Sequence, residues 1–223
     1  MLFLTDGLEN LGEKELEFLL PYLSDQRKEK VLSYRFLPDK ISSAAAFVLL
    51  RYALKEYTGK DVLCEFGFYP EGKPYLLSRA DVRFSLSHDK KGVCVALSES
   101  EIGADVQEVF PYEKSLAERI LSPRERSVFD RFGPDDRLFT RMWTMKESLG
   151  KRTGKGVYDV MEKTDFSEPF SDSKIFGDHA YTTGEKGNLC FSVCSDKKED
   201  VRFVERERLF DSVLSLKKYS DLI

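Results

Sequence analysis

Thr153-Gly154-Lys155-Gly156-Val157 closes a helical pattern from Asp135 to Arg152, and it repeats Thr58-Gly59-Lys60-Asp61-Val62, 95 residues earlier, which closes another from Ile41 to Tyr57. In each stretch the glycine is a helix stop. Four identities are weak evidence alone, but their surroundings repeat too. Ahead of the first stop lie helical patterns at Glu13 to Leu23, with Leu16, Leu19, Leu20 and Leu23 on one stripe, and at about Ser24 to Phe36, with Ser24 or Asp25 as N-cap and Pro38 as its end. Ahead of the second lie Glu113 to Leu121 and Pro123 to Phe132. The latter opens on a capping box, Ser122-Pro123-Arg124-Glu125, and ends at Gly133-Pro134. Short β-rich stretches follow each stop: Val62 to Tyr69, Tyr75 to Leu77, Val82 to Leu86 and Val93 to Leu97 after the first, and strands through Cys194 after the second. This order predicts an α+β fold of two similar halves, 1–102 and 103–223, meeting near Ile102-Gly103-Ala104-Asp105-Val106 and related by a pseudo-twofold axis. The cleft between them is the natural ligand site. Val201 to Val204 reads as a last strand, and Leu209, Val213 and Leu216 as the apolar face of a closing helix.

Composition fits a soluble globular chain. Of 223 residues, 41% are hydrophobic and 13% aromatic, enough apolar surface to offset chain entropy and exclude wholesale disorder. The longest apolar run, Ala44 to Leu50, is far short of the roughly 20 residues that cross a bilayer. Neither a membrane span nor secretion is expected, which points to a cytoplasmic monomer. A net charge of −4 argues against nucleic acid as a partner, so any anionic ligand must meet local basic clusters. Cys64, Cys94, Cys190 and Cys194 form no C-x-x-C pair and read as reduced, buried thiols.

Phe139-Thr140-Arg141-Met142-Trp143-Thr144-Met145-Lys146-Glu147-Ser148-Leu149-Gly150-Lys151 carries the clearest chemical signal. Glu147 and Lys151 stand one helical turn apart, a spacing that also describes an ordinary surface ion pair. Trp143, four residues before Glu147, suggests instead the edge of a buried or ligand-filled groove. Asp105 sits in an apolar segment, where a carboxylate needs a cation or hydrogen-bond partner unless it caps a turn. Facing Glu147, it would offer two oxygen ligands for Mg²⁺. Ser87 and His88 end a strand beside Lys90 and Lys91, as a structural turn or a phosphate contact. Gly72-Lys73-Pro74 is a turn or a ligand loop, and Arg27, Lys28 and Lys30 are a solvated or anion-binding helix face.

Gly72-Lys73-Pro74, Phe84-x-x-Ser87-His88, Ile102-Gly103-x-Asp105-Val106 and Trp143-x-x-Lys146-Glu147-Ser148-x-x-Lys151, in this order, resemble the Sfp-type 4′-phosphopantetheinyl transferases over about residues 24 to 157. The family's internal pseudo-symmetry agrees with the repeat. The resemblance implies Mg²⁺-dependent transfer of the phosphopantetheine arm of coenzyme A to a serine of an apo acyl or peptidyl carrier protein, with release of adenosine 3′,5′-bisphosphate. It implies that Asp105 and Glu147 hold Mg²⁺, that Glu147 also takes the serine's proton, and that Lys151 neutralises charge on the phosphate oxygens. It places Ser87 and His88 at the 3′-phosphate end of coenzyme A, Lys73 near the nucleotide, and Arg27 and Lys30 near its phosphates.

One departure matters. Many members carry a second acidic residue two positions after the aspartate, where this chain has Gln107, whose amide oxygen can coordinate Mg²⁺ or orient a water but brings no charge. Asp89, next to His88, is an unfavourable neighbour for a phosphate that Lys90 and Lys91 can compensate. The rival readings are a catalytically silent binder of coenzyme A or of a carrier protein, and a Mg²⁺-dependent nucleotide pyrophosphatase, which would need more clustered carboxylates.

Overall fold

The computed structural model describes residues 1–156, 164–168 and 172–221, in which two sets of elements follow the same order. The first runs β1 (Leu2–Asp6), α1 (Glu13–Leu19), α2 (Asp25–Ser33), α3 (Leu37–Thr58), β2 (Phe66–Phe68), β3 (Pro74–Leu76), β4 (Arg83–His88) and β5 (Gly92–Ser98). The second runs β6 (Gly103–Glu108), α4 (Lys114–Ile120), α5 (Pro123–Phe132), α6 (Asp136–Thr153), β7 (Ser173–Phe176), β8 (His179–Lys186) and β9 (Leu189–Ser195). β10 (Val201–Phe203) and α7 (Arg206–Val213) follow, and a 3₁₀ turn at Tyr219–Asp221 closes the described chain. One sheet has the order β10-β1-β5-β4, the other β6-β9-β8-β7, and β2 pairs with β3 alone. Each set therefore opens with a strand, adds three helices, and returns two antiparallel strands beside the first, so β1, β5 and β4 match β6, β9 and β8.

The repeated Thr-Gly-Lys stops are built alike. Gly59 and Gly154 take the left-handed conformation, at φ 73° and 72°, that a side chain would strain. Thr58 and Thr153 donate their hydroxyls to the carbonyls of Leu54 and Leu149 and accept the N–H groups of Lys60 and Lys155. Val157, the last matched residue, lies outside the described residues. Pro38 does not end α2, whose C-cap is Tyr34. It sits in the first turn of α3, where its missing N–H costs nothing.

Strand alternation sorts the core. Leu2, Leu4, Cys94 and Ala96 meet Ala104, Val106, Phe191 and Val193 between the two sheets. Phe3, Val93, Val95 and Leu97, on the other face of the first sheet, pack under α1 to α3. Tyr181 and Cys194 do the same under α4 to α6. Residues 201–221, placed by sequence order in the second half, belong by contact to the first. β10 lies parallel to β1, and Leu209 and Val213 of α7 bury in the α3 core. The four cysteines are free and buried.

α6 lies directly on β6. A Cβ on Gly103 would overlap the backbone of Ser148 and Arg152, so only glycine permits the approach. Gly103→Ala is expected to lower stability by about 1–3 kcal/mol or more, because neither backbone can yield without moving α6. Denaturant midpoints of the two proteins check this, and an unchanged midpoint would mean that the helix tolerates a shift.

Candidate active site

β6 alternates Ala104 and Val106 into the inter-sheet core, which turns Asp105 the other way, toward α6 and β4. Asp105 is 4% exposed and Ser87, opposite it on β4, 7%. The Ser87 hydroxyl donates to Asp105 Oδ1 at 2.7 Å, and Lys151 Nζ donates to the same oxygen at 2.6 Å and to Ser87 Oγ at 2.7 Å. Ser85 Oγ, two residues earlier, accepts the Ala104 N–H at 2.9 Å and fixes β4 against β6. Asp105 Oδ2 is buried with no partner among the described residues. Glu147, one turn before Lys151 on α6, is half-buried, and its pKa is raised by burial and by the charge of Asp105. Burial would push the Lys151 ammonium down, but the charge and hydrogen bond of Asp105 outweigh it and hold the group up.

A cavity of about 560 Å³ opens between this cluster and the first half. Glu147 and Lys151 line it from α6, and Arg27 and Lys30 from α2, across from an apolar wall that includes Phe66 and Phe84. Arg27 is 5% exposed. Its Nη2 donates to Ser43 O and Oγ, both at 2.9 Å, while its Nε–H is buried without an acceptor, a donor set that suits an anion. Burial and the charge of Arg27 lower the Lys30 pKa. Such a space holds a drug-sized or nucleotide-sized ligand, and its walls suit one with anionic and apolar parts.

The remaining expected residues stand differently. Lys73 lines the cavity, but its ammonium donates to Glu101 at 2.6 Å, Arg152 O at 2.8 Å and Ile102 O at 3.2 Å, so all three donors tie the β2–β3 turn to the junction. His88 is not among the residues that line the cavity; its Nδ1 is 3.2 Å from Ser42 Oγ and its ring edge-on to Tyr34. Burial, followed by the cations Arg27, Lys151 and Lys30, pushes its pKa down to about 4, so the ring is neutral at pH 7. Gln107 donates Nε2 to Asp89 Oδ2 at 2.8 Å. Trp143 packs edge-on to Phe110 in the second core rather than along the cavity. Eight residues advance a helix by about 80° beyond two full turns, which carries Trp143 off the face of Lys151.

Sequence reasoning overlooked the partner of Lys146. Its ammonium and Glu125 are both fully buried, 2.9 Å apart. Glu125 also accepts the Ser122 N–H of the capping box and the Phe166 N–H. The pair pins the start of α5 and residues 164–166 to the helix that carries Glu147. The signal was the capping-box glutamate itself, which points back into its own helix start and so into the core.

Among the described residues no three His, Cys, Asp or Glu side chains group as a metal cluster. Two carboxylates and an amide are nevertheless a donor set that fits Mg²⁺, which takes one or two protein carboxylates and completes its shell with water and phosphate. The buried Asp105 Oδ2, without a partner among the described residues, is an oxygen such a cation could take.

Fold and cavity together define a cleft lined by cations and an apolar wall, and comparison with known proteins gives the family. Residues 101–204 match the 4′-phosphopantetheinyl transferase superfamily. A 4′-phosphopantetheinyl transferase of Bacillus subtilis is 29% identical over 150 residues, 66% of this chain and 67% of the relative. HetI, a 4′-phosphopantetheinyl transferase of Nostoc sp., is 30% identical over 160 residues, 67% of both chains. Sfp of Bacillus subtilis (strain 168) is 27% identical over 150 residues, 66% and 67%. The chain belongs to the 4′-phosphopantetheinyl transferase family, a family of transferases. No helix among the described residues is long and apolar enough to cross a membrane.

Two measurements follow from this geometry. Lys146→Met should cost about 3–5 kcal/mol in denaturant unfolding, because it leaves the buried Glu125 charge unpaired. The unfolded His88 imidazole takes up its proton near its ordinary 6.5 and the folded one near 4, so stability falls as pH drops through that window. His88→Gln should therefore show a smaller difference in urea midpoint between pH 7 and pH 5 than the unaltered protein.

Proposed function

We propose that the protein transfers the 4′-phosphopantetheine arm of coenzyme A to a serine hydroxyl of an apo acyl or peptidyl carrier protein, releasing adenosine 3′,5′-bisphosphate. The observation that carries the reading is the cavity in which Arg27 and Lys30 of the first half face Glu147 and Lys151 of the second. Arg27, Lys30 and Lys151 would meet the phosphates of coenzyme A, with His88 as a neutral neighbour able to hydrogen-bond at their edge. The apolar wall at Phe66 and Phe84 suits the uncharged parts of the ligand. Glu147, whose pKa burial and Asp105 raise, would accept the proton of the attacking serine. Lys151 would stabilise the negative charge that gathers on the bridging oxygen as the diphosphate bond breaks. Asp105 and Glu147, with the Gln107 amide oxygen, would hold Mg²⁺, which supplies charge neutralisation at the diphosphate.

The test is incubation with coenzyme A, Mg²⁺ and a panel of apo carrier proteins, with products weighed intact. One carrier should gain the mass of a phosphopantetheine group. Coenzyme A binding with no mass gain on any carrier would favour a silent binder. Glu147→Gln should bind coenzyme A as before yet transfer at least ~100-fold more slowly, since the base is lost and the phosphate-binding cations remain. Retention of a tenth of the rate would remove the base role.

A further inference from the structure

Gln107 and Asp89 form a second side-chain contact between β6 and the end of β4, two residues along each from Asp105 and Ser87. Residues 105 and 107 share a face of β6, and Asp89 is the first residue past the end of β4. The first pair meets at 2.7 Å through Ser87 Oγ and Asp105 Oδ1, the second at 2.8 Å through Gln107 Nε2 and Asp89 Oδ2. Asp89 Oδ1 accepts the Lys91 N–H at 3.1 Å and so shapes the turn. The Lys91 ammonium goes to Glu108 instead, and Asp89 has no ion-pair partner among the described residues. A carboxylate without a direct ion pair thus stands against the amide at position 107, where many relatives by resemblance carry an acid.

We propose that Asp89 and Gln107 act as one unit toward the metal, Asp89 supplying the negative charge that residue 107 lacks and fixing which arm of the amide faces the cation. The inference rests on the reading of the site as a Mg²⁺-dependent transferase. A planar amide that donates its nitrogen to Asp89 directs its oxygen away from Asp89. No donor among the described residues takes that oxygen, which leaves it for a hard cation or its water. Asp89 is therefore a positioning residue that acts through Gln107.

Asp89→Asn is the informative change. Its Oδ1 still accepts the Lys91 N–H, so the turn survives, but its amide nitrogen would face the Gln107 nitrogen. The Gln107 amide must turn over and present nitrogen to the cation. In Asp89→Asn/Gln107→Glu, the new amide at position 89 donates to one oxygen of residue 107 and leaves the other, with its charge, for the metal. The probe is Mn²⁺, followed by loss of the free-ion electron paramagnetic resonance signal, with and without coenzyme A, alongside melting curves. Asp89→Asn should weaken Mn²⁺ binding about tenfold, the scale of an outer-shell loss, and the double variant should recover most of it. Gln107→Met, which keeps the chain length but removes the amide oxygen, should weaken binding by a similar factor and serves if Asp89→Asn melts early. Equal Mn²⁺ affinity in Asp89→Asn and the unaltered protein, or a double variant no tighter than Asp89→Asn, overturns the inference. If the unaltered protein transfers phosphopantetheine and binds Mn²⁺ in those cases, the pairing alone has failed. If it does neither, the functional reading fails with it.

Discussion

The missing side chain at Gly103 is what allows the site to exist. α6 rests its backbone at Ser148 and Arg152 on β6 there, close enough that Lys151, on the last turn of the helix, reaches Asp105 two residues along the strand. Because β4 is held against β6 by Ser85 and Ser87, the same approach brings the first half to the second. Asp105, Ser87 and Lys151 come from three elements distant in sequence and meet within 2.7 Å of one another. A buried carboxylate is costly unless paired, so the triad both joins the halves and fixes where charge must be balanced.

The duplicated topology explains why the cleft is not symmetrical in chemistry. At the 95-residue offset Lys146 corresponds to Arg51, and each is a fully buried cation paired with a carboxylate, Glu125 in one case and Asp61 in the other. The common part of the repeat is thus a buried ion pair on the long helix. The next position diverges: Glu147 corresponds to Tyr52, which packs edge-on to Phe3 in the first core. One copy of the helix turns this position to packing, the other to the cavity. The first half contributes instead through α2, whose Arg27 and Lys30 supply cations on the far wall of the cavity.

The helices were legible because their signals are local. Ser122-Pro123 and Gly133 bound α5 at Pro123–Phe132, and the Thr-Gly-Lys stops mark α3 and α6 to within a residue. β1 was not legible, since Leu2-Phe3-Leu4-Thr5 is too short for periodicity to separate strand from helix, and its role depends on partners 90 and 200 residues away. The same holds for the return of residues 201–221 to the first sheet. Among candidate site residues, Asp105, Glu147 and Lys151 announced themselves by an unlikely charge or a helical spacing. The capture of Lys73 by Glu101 and two carbonyls, and the pairing of Gln107 with Asp89, are contacts across loops that no local pattern encodes.

These commitments decide which charges an anion can use. With the Lys73 donors taken, the cavity offers Arg27, Lys30 and Lys151. Lys151 is itself held by Asp105, and turning it toward a phosphate would strip a carboxylate whose second oxygen already lacks a partner. Ser87 would still donate to Asp105, but the buried carboxylate would lose its cation, at a cost of several kcal/mol. Lys151 need not leave Asp105 to reach the cavity, because two of its three N–H donors go to Asp105 and Ser87 and the third remains. The approach of α6 to β6 thus sets both the partner of the carboxylate and the place of the lysine in the cavity wall.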